Sequence, residues 1–190
     1  MRYRLINNTV SIAKTYIENY IKKGQIVLDA TVGNGNDTKL LADKVGADGK
    51  VYGFDIQRLA IENTRKLLKE NNLDKQVQLI IDSHENLEVY IHEGLDFIIY
   101  NLGYLPKGDK NIVTQSESTL KSIESSLKLL NPNGLLLINS YIGHDGGRKE
   151  NQDIEIMLKS LNQKRYNVLK HNFINQKNTP PILYIIEKSL

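Results

Sequence analysis

The sequence predicts an α/β fold in which helices cover both faces of a mostly parallel β-sheet. Short apolar runs alternate with longer segments of helical periodicity along the chain, which is the order of a doubly wound sheet. The apolar runs are nearly continuous, as expected for strands that are buried on both faces. The 190 residues contain no internal repeat, low-complexity tract or linker, so we predict a single domain over residues 1–190.

Each predicted element is supported by a local pattern. The first helix is predicted over residues 9–22, where one helical face carries Val10, Ala13, Ile17 and Ile21. Gly24 ends the N-terminal helical segment, residues 1–24. Further helices are predicted over residues 37–45, 58–72, 114–130 and 148–161. Seven strands are predicted over residues 25–30, 50–56, 76–81, 95–101, 134–141, 166–174 and 182–188.

The composition excludes several classes of function. Because the chain has no cysteine, it can form no disulfide, iron–sulfur cluster or thiol nucleophile. No apolar run approaches the roughly 20 residues of a membrane span. The N-terminus lacks the apolar stretch of a signal peptide. We therefore expect a cytoplasmic protein without membrane contact.

Charge gives a weaker signal. The net charge of +3 is too small to indicate a nucleic-acid partner. Residues 156–186 nevertheless contain no acidic residue. Their basic side chains are Lys159, Lys164, Arg165, Lys170, His171 and Lys177. These form either a solvated face or a surface for a phosphate-rich partner.

The loop after the first strand (DATVGNGNDT) has the features of a cofactor site, since ligands of such sheets bind beyond the carboxyl ends of the strands. Gly33 and Gly35 permit a tight turn and let a ligand approach the backbone. Asp37 and Thr38 lie in the opening turn of the next helix, where free N–H groups can bind a carboxylate or phosphate. Asp55 ends the second strand and suits the hydroxyls of a ribose.

NAD and S-adenosylmethionine both carry such a ribose, and the glycine pattern distinguishes them. Thr38 occupies the place of the third glycine in the dinucleotide fingerprint Gly-x-Gly-x-x-Gly. The pattern Asp-x-x-x-Gly-x-Gly from Asp29, with an acid ending the second strand, resembles class I S-adenosylmethionine-dependent methyltransferases. The alternative is a glycine turn with two acids that cap helices.

This resemblance implies a set of cofactor contacts. Asp29 would face the methionine amino group, directly or through water, and Asp55 would bind the ribose hydroxyls. Ile56 would pack on the adenine, with Gln57 as a polar contact nearby. The loop residues expected around the cofactor are Thr31, Gly33, Asn34, Gly35, Asn36, Asp37 and Thr38. Thr31 stands where many of these enzymes have a further glycine.

The third strand ends in Asp82, Ser83 and His84, at the position that lies beside the adenine in class I methyltransferases. Each of these side chains could bond to the amino edge of the adenine. Alternatively, Asp82 or Ser83 caps the turn that follows.

The fourth strand ends in the segment NLGYLP, which resembles the Asn-Pro-Pro-Tyr motif of amino methyltransferases. By this resemblance Asn101 lies beside the cofactor and orients the target amine, and Tyr104 packs on the substrate. Gly103 lets the ring approach, and Leu102 departs from the usual proline. The alternative is an ordinary strand-to-loop turn. Methylation at a pyrimidine C5 usually requires a cysteine, so its absence favours a nitrogen or oxygen acceptor.

The fifth strand leads into a glycine-rich loop that contains His144. A primary alkylamine with a pKa of about 10.4 must lose a proton before it attacks. His144 could accept that proton directly or through water, or it could position backbone or substrate without proton transfer. Four nearby cations could contact phosphates: Lys107, Lys110, Arg148 and Lys149.

Taken together, the motifs DATVGNGNDT, VYGFDIQ, DSHENL, YNLGYLPKGDK and SYIGHDGG resemble a small bacterial family first described as rRNA methylases. Its members are now understood as tRNA wobble-uridine methyltransferases. The resemblance covers residues 29–147. It implies a Rossmann-like class I methyltransferase fold, with a seven-stranded, mostly parallel sheet, helices on both faces and an antiparallel C-terminal strand.

The implied reaction is the S-adenosylmethionine-dependent N-methylation of 5-aminomethyl-(2-thio)uridine to its 5-methylaminomethyl form in tRNA. The implied partner is the tRNA anticodon stem-loop. RNA would be held by strand-end loops, by the first helix or across a homodimer, because 190 residues leave no room for a separate RNA-binding domain. No metal site is predicted. The alternatives are an rRNA substrate, a small amine substrate, or a cofactor-binding protein without catalysis.

Overall fold

The computed structural model describes residues 6–103 and 115–190. The strands are β1 (Ile26–Asp29), β2 (Lys50–Asp55), β3 (Val77–Ile81), β4 (Leu95–Leu102), β5 (Leu130–Ser140), β6 (Tyr166–His171) and β7 (Ile182–Lys188). The α-helices are α1 (Thr9–Tyr20), α2 (Asn36–Val45), α3 (Arg58–Glu70), α4 (Leu87–Tyr90), α5 (Ser116–Leu129) and α6 (Gly147–Lys159). The predicted elements are confirmed, apart from shifts at their ends. The sequence pattern missed α4 and the 3₁₀ turn before it, His84–Asn86, because both are shorter than one period of the apolar pattern.

The seven strands form one sheet in the order β3-β2-β1-β4-β5-β7-β6. Pairing is parallel from β3 through β5. Strand β7 lies antiparallel to both β5 and β6, as predicted for the C-terminal strand. The chain order reverses between β1 and β4, so the loops after these strands diverge and leave a crevice at their carboxyl ends.

Helices cover both faces of the sheet, which explains the continuous apolar strands. On β4, Phe97 and Ile99 pack with α1, α2 and α3, while Ile98 and Tyr100 pack with α4, α5 and α6. Successive side chains of a strand point to opposite faces. Every position of this central strand therefore needs an apolar or well-paired side chain. Tyr100 meets that need by bonding its hydroxyl to Ser122 and Ser126 at 2.6 and 2.8 Å.

The basic stretch near the C-terminus is partly neutralised within the fold. Lys159 and Lys170 each form an ion pair with Glu155, at 2.9 and 2.7 Å. Hydrogen bonds from these two lysines lower the pKa of Glu155 to about 2. The pairing favours the interpretation of this stretch as a solvated face. Within residues 6–103 and 115–190, no helix has both the length and the apolar character needed to cross a membrane.

The central strand should dominate stability. Ile98 is fully buried in β4, whereas Ile156 is 68% exposed on α6. We expect Ile98→Ala to lower the free energy of unfolding by about 2–5 kcal/mol, because it leaves a cavity in the core. The same truncation at Ile156 serves as the control and should cost less than about 0.5 kcal/mol. Urea unfolding measures both values, and similar losses for the two variants would contradict this account.

Candidate active site

A cavity of about 710 Å³ lies at the carboxyl ends of the strands, at the point where the chain order reverses. Its size is that of an ordinary small-molecule site. Most of the predicted site residues line it: Thr31, Gly33, Asn34, Asn36, Asp37, Asp55, Ile56, Gln57, Asp82, Ser83, His84 and Asn101. These residues come from four separate segments of the chain, which are thus brought together as the carboxyl-end rule predicts.

The remaining predicted residues lie elsewhere. Asp29, Gly35 and Thr38 are buried beneath the cofactor loop and do not line the cavity. His144 lies in the loop after β5, where its Nδ1 is 2.8 Å from the carbonyl oxygen of Asp145, and it is not among the described lining residues. Tyr104, Lys107 and Lys110 fall outside the residues that the structure describes.

The conformation of the cofactor loop requires glycine at position 35. Gly35 precedes α2 with φ of 74°, in the left-handed region. A Cβ at this position would lie 2.5 Å from the Thr64 hydroxyl oxygen. A larger residue would therefore suffer both backbone strain and a steric clash. This glycine turn sends the chain directly from the loop into α2, whose first residues line the cavity.

Asp55 holds the mouth of this loop against the end of β2. Its two carboxyl oxygens accept hydrogen bonds from the backbone N–H groups of Gly33 and Gln57, at 2.9 and 2.8 Å. Burial raises the pKa of Asp55, and these two hydrogen bonds oppose the rise. Each carboxyl oxygen can accept a second hydrogen bond. Asp55 can therefore bind a diol in the cavity while it still holds the loop.

Asp29 lies in the protein interior and does not line the cavity. Its carboxyl group is fully buried and accepts hydrogen bonds from the Thr31 N–H, at 3.2 Å, and from the Thr38 hydroxyl, at 2.6 Å. Burial and the nearby charge of Asp37 raise the pKa of Asp29 to about 7. Any effect of Asp29 on the methionine amino group would therefore pass through the loop that it holds.

Asn101 is fixed at three points at the end of β4. Its backbone N–H donates to the Thr31 hydroxyl at 2.7 Å. Its side-chain nitrogen donates to Asp37 at 2.9 Å, and its side-chain oxygen accepts from the Asn139 amide at 3.0 Å. Thr31, which departs from the glycine of many related loops, thus joins the cofactor loop to β4.

The segment after β3 contains one residue with unused hydrogen-bonding capacity. Asp82 accepts hydrogen bonds from Ser83, Asn86 and Tyr90, so it stabilises its own turn. The Ser83 hydroxyl caps the 3₁₀ turn at 3.3 Å from the N–H of Glu85. His84 instead presents an imidazole whose Nδ1 has no partner among the described residues. Burial lowers the pKa of His84 to about 4, so the ring is neutral near pH 7.

The cavity also contains residues that the sequence reasoning missed. Tyr141, which follows β5, lies against Gly103, and burial raises its pKa, with a further contribution from the charge of Asp37. The carboxyl-end rule applied to β5 would have selected it. Other lining residues come from α1 and from the start of α5, and these include Val10, Lys14, Gln115 and Ser118. No sequence signal places α1 there, because it precedes the first strand.

The sheet order, the glycine loop after β1 and the acid after β2 define a class I S-adenosylmethionine-dependent methyltransferase. A family model described as "Putative rRNA methylase" matches residues 51–187. The chain belongs to this family.

Individual relatives agree with this assignment. A chloroplastic "tRNA (mnm(5)s(2)U34)-methyltransferase" of Arabidopsis thaliana is 35% identical over 187 residues, which are 93% of this chain and 68% of the relative. A solved structure described as a "putative rRNA-methylase" from Clostridium thermocellum is 44% identical, with a TM-score of 0.94 over 96% of this chain and 98% of that one. A "putative methyltransferase" from Streptococcus mutans, solved in complex with SAH, is 36% identical with a TM-score of 0.86 over 99% of both chains.

The residues present fit S-adenosylmethionine as the cofactor. Asp55 offers acceptors for a ribose, and the Gly33–Gly35 turn leaves backbone close to the cavity. Phe54 and Ile56 give the wall an apolar section, and Gln57, Ser83 and His84 add polar side chains to it. When bound, the cofactor supplies an electrophilic methyl group. Within residues 6–103 and 115–190, no group of three His, Asp or Glu side chains is placed to hold a metal ion.

The raised pKa of Asp29 predicts a specific pH dependence of stability. The pKa rises from an ordinary value of 3.8 to about 7 on folding, so the folded protein keeps a proton that the unfolded chain has lost between these values. The stabilisation from neutral Asp29 is complete below about pH 4 and is lost as the pH rises through about 7. We expect Asp29→Asn, which cannot ionise, to gain free energy of unfolding relative to the parent protein between about pH 5 and pH 8.

Urea unfolding without cofactor at the two pH values measures this difference. Asp48→Asn, at an exposed position, is the control and should change equally little at both. A difference between Asp29→Asn and the parent protein that does not vary with pH would show that Asp29 titrates normally.

Proposed function

We propose that this protein transfers the methyl group of S-adenosylmethionine to the exocyclic amine of 5-aminomethyl-(2-thio)uridine at the wobble position of tRNA. The proposal rests on the position and hydrogen bonding of the Asn101 side chain. Its side-chain oxygen lies at the cavity end of β4 and, among the described residues, accepts a single hydrogen bond, from Asn139. An amide oxygen can accept two, so one acceptor position remains for a substrate N–H group. The printed name of the Arabidopsis relative supports the choice of substrate.

In this proposal the amine binds between Asn101 and Tyr141 at the end of the sheet. Asn101 aims the nitrogen lone pair, since in-line attack requires close and directed contact. Thr31 holds the backbone of Asn101, so the aim does not depend on a flexible loop. Tyr104 as the residue that packs on the base stays a prediction.

The cofactor contacts follow the positions of the side chains in the cavity. Asp55 binds the ribose hydroxyls, and Ile56 and Gln57 flank the adenine. The segment after β3, with Asp82, Ser83 and the neutral imidazole of His84, lies at the adenine amino edge. The first turn of α2, with Asn36 and Asp37, lies nearest to the methionine end.

The reaction also requires a proton acceptor and contacts to RNA. The amine must lose a proton, and His144 as its acceptor stays a prediction, because this side chain lies outside the cavity wall. Lys14 of α1 lines the cavity, where it can contact an RNA phosphate. Lys149 already pairs with Asp153 at 2.7 Å, so this contact would have to be exchanged. Single-domain organisation, a homodimer and a cytoplasmic location also stay predictions.

Nucleoside mass spectrometry tests the proposal directly. The protein and S-adenosylmethionine are incubated with tRNA that carries 5-aminomethyluridine, and unmodified tRNA and rRNA serve as controls. We expect a gain of one methyl group on that nucleoside alone. Methylation of rRNA, or of a free amine in place of tRNA, would transfer the same chemistry to another substrate and overturn the tRNA assignment.

Replacement of Asn101 should separate catalysis from cofactor binding. We expect Asn101→Ala to lower kcat by roughly 100-fold, the loss typical of a misplaced reacting group. The dissociation constant of S-adenosylmethionine, measured by calorimetry, should change little. Asn167→Ala on the exposed side of β6 is the control. Unchanged turnover of Asn101→Ala would remove Asn101 from the mechanism.

Replacement of Asp55 should have the opposite effect. Asp55→Ala removes the diol acceptor and leaves the N–H groups of Gly33 and Gln57 without their partner. We expect the dissociation constant of S-adenosylmethionine to rise about 10- to 100-fold, the equivalent of one or two charge-assisted hydrogen bonds. Asp48→Ala is the control. An unaltered dissociation constant would contradict the ribose role of Asp55.

A further inference from the structure

A chain of three side chains crosses the cavity floor from α2 to β5. The Asn101 side-chain nitrogen donates to Asp37 at 2.9 Å, and the Asn139 nitrogen donates to the Asn101 oxygen at 3.0 Å. Asn101 and Asn139 are direct neighbours on the parallel strands β4 and β5. The two strands therefore hold the Asn101 and Asn139 side chains next to each other. Their hydrogen bond is thus set by the sheet and not by a loop.

The hydrogen bonds along these three side chains all run in one direction, and Asp37 sets that direction. An ionised carboxylate accepts hydrogen bonds and donates none. Asn101 must therefore turn its nitrogen toward Asp37 and its oxygen toward Asn139. Asn139 must in turn present its own nitrogen, because two amide oxygens facing each other would repel.

Asn139 shows what this direction costs. Its side chain is fully buried, and its Oδ1 has no hydrogen-bond partner among the described residues. A buried amide oxygen without a partner is destabilising, and such exceptions in native structures call for an explanation. The reverse orientation of Asn139 would move the unpartnered oxygen against the Asn101 oxygen. The arrangement thus accepts a cost at Asn139 in order to keep Asn101 in one orientation.

We propose that Asp37 and Asn139 are positioning residues that fix the direction of the Asn101 amide and thereby select an acceptor group that donates a hydrogen bond, such as an amine. This inference rests on the proposed function. With its oxygen fixed on the Asn139 side, Asn101 keeps one acceptor position for a hydrogen bond from an amine. In the opposite direction it would offer an NH₂ group at that position, which suits a carbonyl or an oxyanion instead. The preference for an acceptor that donates a hydrogen bond then lies in two residues that need not touch the substrate.

Exchanging Asp37 and Asn139, which lie at the two ends of this row of side chains, tests the direction of the Asn101 amide. In Asn139→Asp, Asn101 lies between two acceptors and can satisfy only one, so we expect lower thermal stability and a kcat lower by roughly 100-fold. In the double variant Asp37→Asn with Asn139→Asp, every hydrogen bond can form again, but with the Asn101 amide reversed. Asp37→Asn alone is the reference, because both variants carry the same residue at position 37 and hence the same cofactor contacts there.

We expect the double variant to melt at a higher temperature than Asn139→Asp, which carries the same buried carboxylate, because the reversed Asn101 amide donates to it. Its affinity for S-adenosylmethionine should equal that of Asp37→Asn, while its kcat stays roughly 100-fold lower than that of Asp37→Asn. A purely structural role would restore turnover together with stability. Equal kcat values for the double variant and Asp37→Asn would therefore overturn the inference, and so would a double variant that is no more stable than Asn139→Asp. Asn167→Asp on β6 is the control for the substitution itself and should leave turnover unchanged.

A measurement on the unmodified protein keeps the inference independent of the substrate. Scalar coupling through hydrogen bonds, recorded by NMR, should connect the Asn101 side-chain nitrogen to the carboxyl carbon of Asp37. Coupling from that nitrogen to the amide carbon of Asn139 would overturn the proposed direction. If no methyl transfer to the wobble amine is detected, the proposed function fails, and this coupling still decides the direction of the amide.

Discussion

The hydrogen bond from the Asn101 N–H to the Thr31 hydroxyl is the contact on which the site depends. Strands β1 and β4 are parallel neighbours, and the chain order reverses between them. Their following loops therefore run apart, so side-chain contacts help to connect them across the crevice. The Thr31 hydroxyl makes such a contact with β4, and the Thr31 N–H in turn donates a hydrogen bond to the buried Asp29 carboxyl group. The cofactor loop and the end of β4 that carries Asn101 are thus one unit.

Electrostatics link the same unit to its ligands. Asp29, Asp37 and Asp55 lie close enough that the charges of Asp37 and Asp55 both raise the pKa of Asp29. The sulfonium cofactor is a cation, and so is an alkylamine before it loses its proton. A cation in the cavity favours the ionised form of nearby carboxyls. Binding of the cofactor should therefore reduce the electrostatic repulsion among these three carboxyl groups.

The sequence predicted the sheet, its helices and most of the cavity, because those features follow from apolar periodicity and from the carboxyl-end rule. It could not assign Asp29 correctly to the cavity or to the interior, since both positions end a strand. It gave no sign that α1 contributes Lys14 to the cavity wall, because long-range packing decides where that helix lies. The contact between Asn101 and Asn139 depends on the register of β4 with β5, which apolar patterns do not determine.

Leu102 keeps Asn101 in register with β5. The related motif has a proline here, and proline is found at sheet edges rather than in central strands. With Leu102, fully buried, β4 continues one residue past Asn101 and pairs with Ser140, and the Tyr141 N–H donates to the Leu102 carbonyl at 3.1 Å. Asn101 therefore stays inside the sheet, opposite Asn139. Because Asn101 lies within the sheet, its neighbour Asn139 on β5 can control the orientation of its side-chain amide.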